Sequence, residues 1–395
     1  SDVYKRQDIT KNILYEKKLV QQCGGKLVFT NSDIFSSSKL IFDSDFSQFN
    51  TDQKSFINSM RSEFKKLTNN NPIQYFDKIK NLKILVIGET ILDRYVFCET
   101  VGKSGKEPML VLKESKENTF VGGAAAVASQ ISAFSENVTF LSYLGNKLNY
   151  VKKIHSSLKN IKKIFIKKKN SPTILKTRYV DEPSKSKIFG VYDMNDEPLD
   201  NVAEKKLNDY LKRNLKKFDV VIVSDYGHGF ISNNTAKIIT KYSNFLTINC
   251  QINANNKGHH STNKYKNLDC VLINESELRY EMRDNHSKIN NLVKDFSSQT
   301  KSSFVIITQG NQGCSLYDRN KNFFQHCPAF ATIISDKVGA GDSLLSIFSI
   351  MFYYSKSIRL SLLSGSLSAS MSLKKFGNDK EINMKNLIKI MSHIF

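Results

Sequence analysis

A doubly wound α/β fold with a smaller sheet beside it is what this sequence predicts, and three observations predict it. Short apolar runs rich in Val and Ile each end in glycine or a polar residue, with helix-like stretches between them. Two other segments alternate apolar and polar residues. Near the C-terminus, Asp336-Lys337-Val338-Gly339-Ala340-Gly341-Asp342-Ser343 sits between an apolar stretch and a helix-like run.

In chain order, the first residue is Ser1 and not methionine, so the native start is expected to be missing or replaced. Ile9 to Val20 reads as a helix, Gly24-Gly25 as a turn, Lys26 to Thr30 as a short strand and Ser36 to Ser38 as a polar stretch. Residues 43–80 are polar with scattered aromatics (Phe46, Phe49, Phe56, Phe64, Tyr75, Phe76), the pattern of connecting or docking helices.

From Lys83 the pattern changes. Ile84 to Gly88, Val220 to Asp225, Cys270 to Asn274 and Phe304 to Thr308 are apolar runs of the kind that parallel strands, buried on both faces, require. A right-handed doubly wound sheet follows, with ligands expected outside the carboxyl ends of its strands. Val96 to Phe120 and Thr173 to Val191 alternate as solvent-facing antiparallel strands do, and are expected to form a small sheet covering the site. The basic run from Lys152 to Lys169 alternates with Ile154, Leu158, Ile161, Ile164 and Ile166, so its lysines read as the wet faces of a helix and a following strand.

Composition narrows the class. A chain of 395 residues with 40% hydrophobic content buries a substantial core, which excludes disorder throughout. The formal charge of +21 is mostly lysine spread along the chain, whereas a nucleic-acid interface needs it concentrated. No apolar run approaches the roughly 20 residues of a membrane span, and no signal-peptide pattern opens the chain, so a cytoplasmic protein without membrane or nucleic-acid partners is expected. Six cysteines without Cys-x-x-Cys spacing argue against a disulfide framework or a zinc site.

Two readings fit the run from Asp336 to Ser343. Glycines flanking an alanine let successive N–H groups converge, and the following helix aims its positive end at the same point, so an anion would rest there. Asp342, one residue on, is then the general base that takes a proton from an attacking hydroxyl, the logic of a small-molecule kinase. Alternatively the glycines merely turn the chain and Asp342 caps an ordinary helix.

Residues 81–395 resemble the ribokinase-like, or PfkB, carbohydrate kinases, and within them the heptose 7-phosphate kinases of lipopolysaccharide-precursor synthesis. The resemblance rests on several motifs in family order. Gly88-Glu89-Thr90-Ile91-Leu92-Asp93-Arg94-Tyr95 is similar to the first strand and loop, which implies that Asp93 binds sugar hydroxyls. Gly122-Gly123 followed by Ala124-Ala125-Ala126 resembles the substrate signature opening a helix, with Ala126 where asparagine is usual. Lys176-Thr177-Arg178 lies where the phosphosugar kinases carry cations, which implies that Arg178 grips a substrate phosphate. Ser224-Asp225-Tyr226-Gly227-His228-Gly229 resembles a motif whose fifth residue is usually lysine; a histidine there reads as a packed loop residue.

Asn274-Glu275-Ser276-Glu277 matches Asn-x-x-Glu, which implies a nucleotide role for Asn274 and indirect, water-mediated Mg²⁺ binding by Glu277. The same four residues also read as a helix cap. Thr308-Gln309-Gly310-Asn311-Gln312-Gly313 is similar to the nucleotide loop, implicating Thr308, Gly310 and Gly313, although a hairpin turn would use the same glycines. Gly339, Ala340 and Gly341 then form the anion hole beside Asp342, with Lys337 where a small residue is usual.

The resemblance thus implies a three-layer α/β/α fold with a lid at 96–120 and 173–191. It also implies ATP and Mg²⁺ as cofactors, a sugar or sugar phosphate as substrate, and a lid sheet that in this family often pairs with a second copy. Residues 1–42 resemble the end of a sugar nucleotidyltransferase, as in bifunctional heptose enzymes, and are expected to be a non-catalytic remnant joined by a helical linker over 43–80. Ala126, His228 and Lys337 also admit a degenerate module of the same fold that binds without turnover.

Overall fold

A computed structural model describes residues 3–5, 20–24, 27–29, 49–66, 73–146, 150–253, 256–374 and 384–395. The chain divides into two compact units, Ser1–Phe49 and Asn50–Phe395. In the first, β1 (Val3–Lys5) runs parallel to β2 (Leu27–Phe29), Val3 facing Leu27. β2 falls within the strand expected over Lys26 to Thr30. The helix expected over Ile9 to Val20, apart from Val20 itself, lies outside the described residues, as do Gly25 and Ser36 to Ser38.

The second unit opens with α1 (Thr51–Lys66) and α2 (Gln74–Ile79). Both dock: Ile57, Met60 and Ile79 are fully buried, and Glu63 pairs with Arg359 at 2.9 Å. Next come β3 (Lys83–Gly88), β4 (Thr90–Lys103), β5 (Leu110–Gly123), α3 (Ala124–Ser132), β6 (Asn137–Leu144), α4 (Val151–Ser157) and β7 (Lys162–Lys167). They are followed by β8 (Ile174–Asp181), β9 (Lys187–Asp193), α5 (Asn201–Asn214), β10 (Val220–Asp225), α6 (Asn233–Tyr242), β11 (Leu246–Cys250) and β12 (Cys270–Asn274). The chain continues through α7 (Glu275–Met282), α8 (Ile289–Thr300), β13 (Phe304–Thr308), β14 (Cys314–Asp318), β15 (Phe323–Cys327), α9 (Ala340–Ser355), α10 (Ile358–Leu373) and α11 (Met384–Ile394).

Among the described residues a nine-stranded sheet runs β15-β14-β13-β12-β11-β10-β3-β6-β7. From β13 to β7 every pairing is parallel; β14 and β15 add an antiparallel edge. Parallel strands are covered on both faces, which is why their sequences are apolar throughout and not alternating. Leu85, Ile87, Val223 and Ile273 pack into one helical layer with Leu207, Leu211, Ile239 and Phe296. The opposite face lies against α3 and α9. The three layers are those the sequence predicts.

Strand order reverses between β3 and β10, the switch point where doubly wound sheets open a crevice at the carboxyl ends. The second, four-stranded sheet runs β5-β4-β8-β9 over that crevice. Its pairings are not all antiparallel as the alternation suggested: β4 and β8 are parallel, with Asp93 opposite Lys176. β4 also begins at Thr90, directly after β3, so Asp93 sits on a strand and not in a loop. Among the described residues no helix is long and apolar enough to cross a membrane.

Candidate active site

At the switch point lies a cavity of about 390 Å³. Of the residues singled out in the sequence, Asp93, Gly123, Arg178, Asn274, Glu277, Thr308, Lys337, Gly339, Gly341 and Asp342 line it. Gly122, Ala340, Gly310 and Gly313 do not. Gly122 pairs with Ile91 at the end of β5, one residue from the wall. Gly310 and Gly313 turn the β13–β14 hairpin with φ of 60° and 95°, so the hairpin reading of that loop holds in the structure.

Gly339, with φ of 85°, is the cap of α9, which makes Ala340, Gly341 and Asp342 its first turn. The N–H groups of a first turn have no intrahelical acceptor, and the helix dipole adds positive potential there. A Cβ built on Gly341 would meet nothing within 4 Å, so the turn opens onto free space. Asp342 Oδ1 accepts a hydrogen bond from the Tyr226 hydroxyl at 2.9 Å. Desolvation pushes the Asp342 carboxyl up to about 6; Tyr226 opposes the rise and the charge of Asp93 adds to it.

On the small sheet, Arg178 Nη1 donates to Asp93 Oδ1 at 2.5 Å, and its Cζ lies 5.5 Å from the Tyr95 ring centroid. Tyr95 donates in turn to Asp336 Oδ2 at 2.9 Å, while Lys187 of β9 meets Asp336 Oδ1 at 2.7 Å. Burial pushes the Asp336 carboxyl up, but Lys187 and Tyr95 more than cancel this and hold it below the usual carboxylate range. The small sheet thus grips Asp336, three residues ahead of the Gly339-Ala340-Gly341-Asp342 turn.

Asn274 and Glu277 form a reciprocal capping box at α7: the Glu277 N–H donates to Asn274 Oδ1 at 2.8 Å, and the Asn274 N–H to Glu277 Oε2 at 3.0 Å. Desolvation pushes Glu277 up to about 7. The cap and the cavity wall are therefore the same residues. Glu277, Asn274 and Gln251 offer oxygen donors of the kind Mg²⁺ takes together with retained waters. A second cluster, Asp225, Cys250 and His260, escaped the cysteine-spacing argument because its members are brought together only by the fold. There the Lys264 ammonium lies 2.6 Å from Asp225 Oδ2 and the Tyr265 hydroxyl donates to the same oxygen, so the Asp225 carboxylate already has a counter-charge.

His228 is fully buried with Nδ1 2.7 Å from Asp196 Oδ1, and burial lowers its pKa to about 4. It is a neutral, packed loop residue at pH 7. Ala126 is buried in α3. The sequence reading left unassigned Lys176, Tyr226, Asn249 and Gln251 on the cavity wall, and Glu89 behind it. Glu89, fully buried, accepts the Tyr226 and His228 N–H groups at 2.9 and 3.1 Å and so fixes the loop that carries Tyr226. Burial and neighbouring Asp225 push it up to about 7. Lys176, Tyr226 and Glu89 lie inside the recognised runs, which is the signal that could have found them.

Residues 81–383 match the family model described as pfkB family carbohydrate kinase. Among curated relatives, the "Bifunctional protein HldE" of Aliarcobacter butzleri (strain RM4018) is 26% identical over 308 residues, covering 76% of this chain and 62% of that protein. The protein of that name from Campylobacter curvus (strain 525.92) is 26% identical over 313 residues, covering 76% and 63%. The chain thus spans less than two thirds of the length of these relatives. Among solved structures, Arabidopsis thaliana ribokinase complexed with ribose and ATP superposes with a TM-score of 0.60 at 17% identity, over 79% of this chain and 99% of that one. Escherichia coli phosphofructokinase-2 in complex with potassium does so with a TM-score of 0.64 at 14% identity, over 80% and 99%. These structural likenesses carry the fold, and the family match carries the membership: the chain belongs to the pfkB family of carbohydrate kinases.

Proposed function

We propose that this chain transfers the γ-phosphoryl group of ATP to a hydroxyl of a sugar or sugar phosphate, with a heptose 7-phosphate the favoured acceptor. The observation that carries this reading is Asp342: a carboxylate in the first turn of a helix, beside an open glycine turn, in the same cavity as Asp93. The acceptor hydroxyl attacks the γ-phosphorus as its proton passes to Asp342, the bond to the ADP oxygen breaks, and ADP leaves. The Gly339–Asp342 amides stabilise the charge on the transferring group. Asp93, held by Arg178, accepts hydrogen bonds from acceptor hydroxyls, and Gly123 lets the sugar approach the backbone. Thr308 and Asn274 would line the nucleotide side, and Glu277 would hold Mg²⁺ through water. When bound, that ion neutralises phosphate charge.

Exposed Val101, Met109, Leu110, Phe189 and Val191 of the small sheet and its connecting turn support a homodimer formed through that sheet. Residues 1–42, which lie in the compact unit Ser1–Phe49, are read as the end of a nucleotidyltransferase-like domain, with 43–80 joining it to the kinase domain. A second reading, a module that binds sugar or nucleotide without turnover, draws on neutral His228. ADP release from Mg²⁺-ATP across a panel of sugars and sugar phosphates, with Asp342→Asn as control, separates the two. Acceptor-dependent release lost in the variant supports the kinase; nucleotide binding without release on any acceptor supports the module.

A further inference from the structure

The small sheet presents two cations to the cavity, and they are not equivalent. Arg178 is committed, its guanidinium bonded to Asp93 and lying near the Tyr95 ring. Lys176 lies two residues earlier, hence on the same face of β8, and is only 8% exposed. It lines the same cavity, yet its Nζ makes no ion pair or hydrogen bond among the described residues. Its neighbours are the ring faces of Tyr192 at 5.6 Å and Tyr226 at 6.0 Å. Ring faces attract a cation but supply no counter-charge.

An ammonium at the end of a mostly buried side chain, open to the cavity but without a protein acceptor, is poorly compensated, and an anion in the cavity would compensate it. Burial lowers the Lys176 pKa and the charge of Arg178 adds to the drop, while Asp93, Glu89 and Asp196 oppose it through space. Geometry says which end of the cavity the anion would occupy. Lys176 faces Asp93 across the β4–β8 pairing, on the side where acceptor hydroxyls bind under the proposed function. The other positive features of the cavity, the Gly339–Asp342 turn and exposed Lys337, belong to the run that receives the phosphoryl donor. The remaining candidate for an acceptor-side cation, His228, is neutral.

We propose that Lys176, and not Arg178, anchors a phosphate monoester carried by the acceptor, while Arg178 serves to hold Asp93. This rests on the kinase reading and deepens it, because it makes the acceptor a sugar phosphate and not a free sugar. Lysine suits the task as a compact point charge with three donors.

The test measures binding to the full chain by calorimetry with a non-hydrolysable ATP analogue and Mg²⁺ saturating, so that the glycine turn is occupied. The ligands are a heptose 7-phosphate, the matching unphosphorylated heptose and inorganic phosphate. Losing one charge-assisted contact predicts that Lys176→Met lowers the ratio of phosphorylated to free heptose affinity at least ~tenfold. Lys176→Arg should restore most of it, and Arg178→Met should weaken both sugars alike. A ratio unchanged in Lys176→Met, or lost only in Arg178→Met, overturns the proposal. If the kinase reading itself fails, wild-type protein releases no ADP with any sugar, but inorganic phosphate still reports on Lys176. Binding weakened at least ~tenfold in Lys176→Met then supports the anion site, and equal binding in the two proteins overturns it whatever the kinase assay gives.

Discussion

The Tyr226 hydroxyl donates to Asp342 Oδ1 at 2.9 Å, joining the end of β10 to the first turn of α9 across 116 residues of sequence. The bond takes one carboxylate oxygen, leaving the other for an acceptor hydroxyl under the proposed function, and stabilises the ionised form of Asp342 against desolvation. Tyr226 is placed in turn by Glu89, which accepts its N–H. Removing the hydroxyl with Tyr226→Phe should raise the pKa of Asp342, so kcat/KM falls more at pH 6 than at pH 8. An equal loss at both values would mean that Tyr226 only packs.

The acid limb of activity follows from the same carboxyl. With its pKa pushed up to about 6, Asp342 is ionised and able to accept a proton only above that value, so kcat/KM should fall tenfold per pH unit well below it. A profile flat down to pH 4 would remove Asp342 as the base.

Stability should respond in the opposite sense. A carboxyl whose folded pKa lies above its unfolded value stabilises the protonated fold, and that contribution is lost as pH rises from about 4 through about 6. Asp342→Asn removes the charge that burial disfavours. Its melting temperature should therefore rise relative to wild type across that window and keep the gain at neutral pH, while turnover drops at least ~10³-fold. A gain of equal size at pH 3 and pH 8 would contradict the assignment.

Glu277→Gln separates capping from ion binding. Glutamine can still accept the Asn274 N–H, so the melting temperature should shift by no more than the ~1 kcal/mol of a weakened cap. The Mg²⁺ concentration for half-maximal ADP release should rise several-fold; an unchanged requirement would confine Glu277 to its helix.

Gly123 has φ of 62°, and a Cβ there would lie 2.6 Å from Glu89 O. Strained backbone plus that clash predict that Gly123→Ala costs more than ~2 kcal/mol, read as a lower denaturation midpoint. A wild-type midpoint would show that the β5–α3 junction adapts.

Local chemistry made much of this readable. Runs such as Ile84 to Gly88 announce buried strands because both of their faces are apolar, and glycines around Ala340 announce a turn because few other residues fit φ of 85°. β11 went unread because Thr247 and Asn249 interrupt its apolar run. The parallel pairing of β4 with β8 was hidden for another reason: alternation shows that a strand has one wet face but not the direction of its neighbour. The pairing of Arg178 with Asp93 could not be read locally, because the two lie 85 residues apart. Lys176 stands in the same run, but only the fold shows that it, and not Arg178, has aromatic rings and no acceptor around it.

Asp336 is held from two strands of the small sheet, by Tyr95 on β4 and Lys187 on β9, while its own backbone leads straight into the glycine turn. Swinging that sheet away from the crevice would break both attachments and free the segment that leads into the turn. The wall built by the small sheet and the wall built by the glycine turn are therefore joined through one carboxylate, so under the proposed function the acceptor side and the phosphoryl-donor side would be assembled or dismantled together.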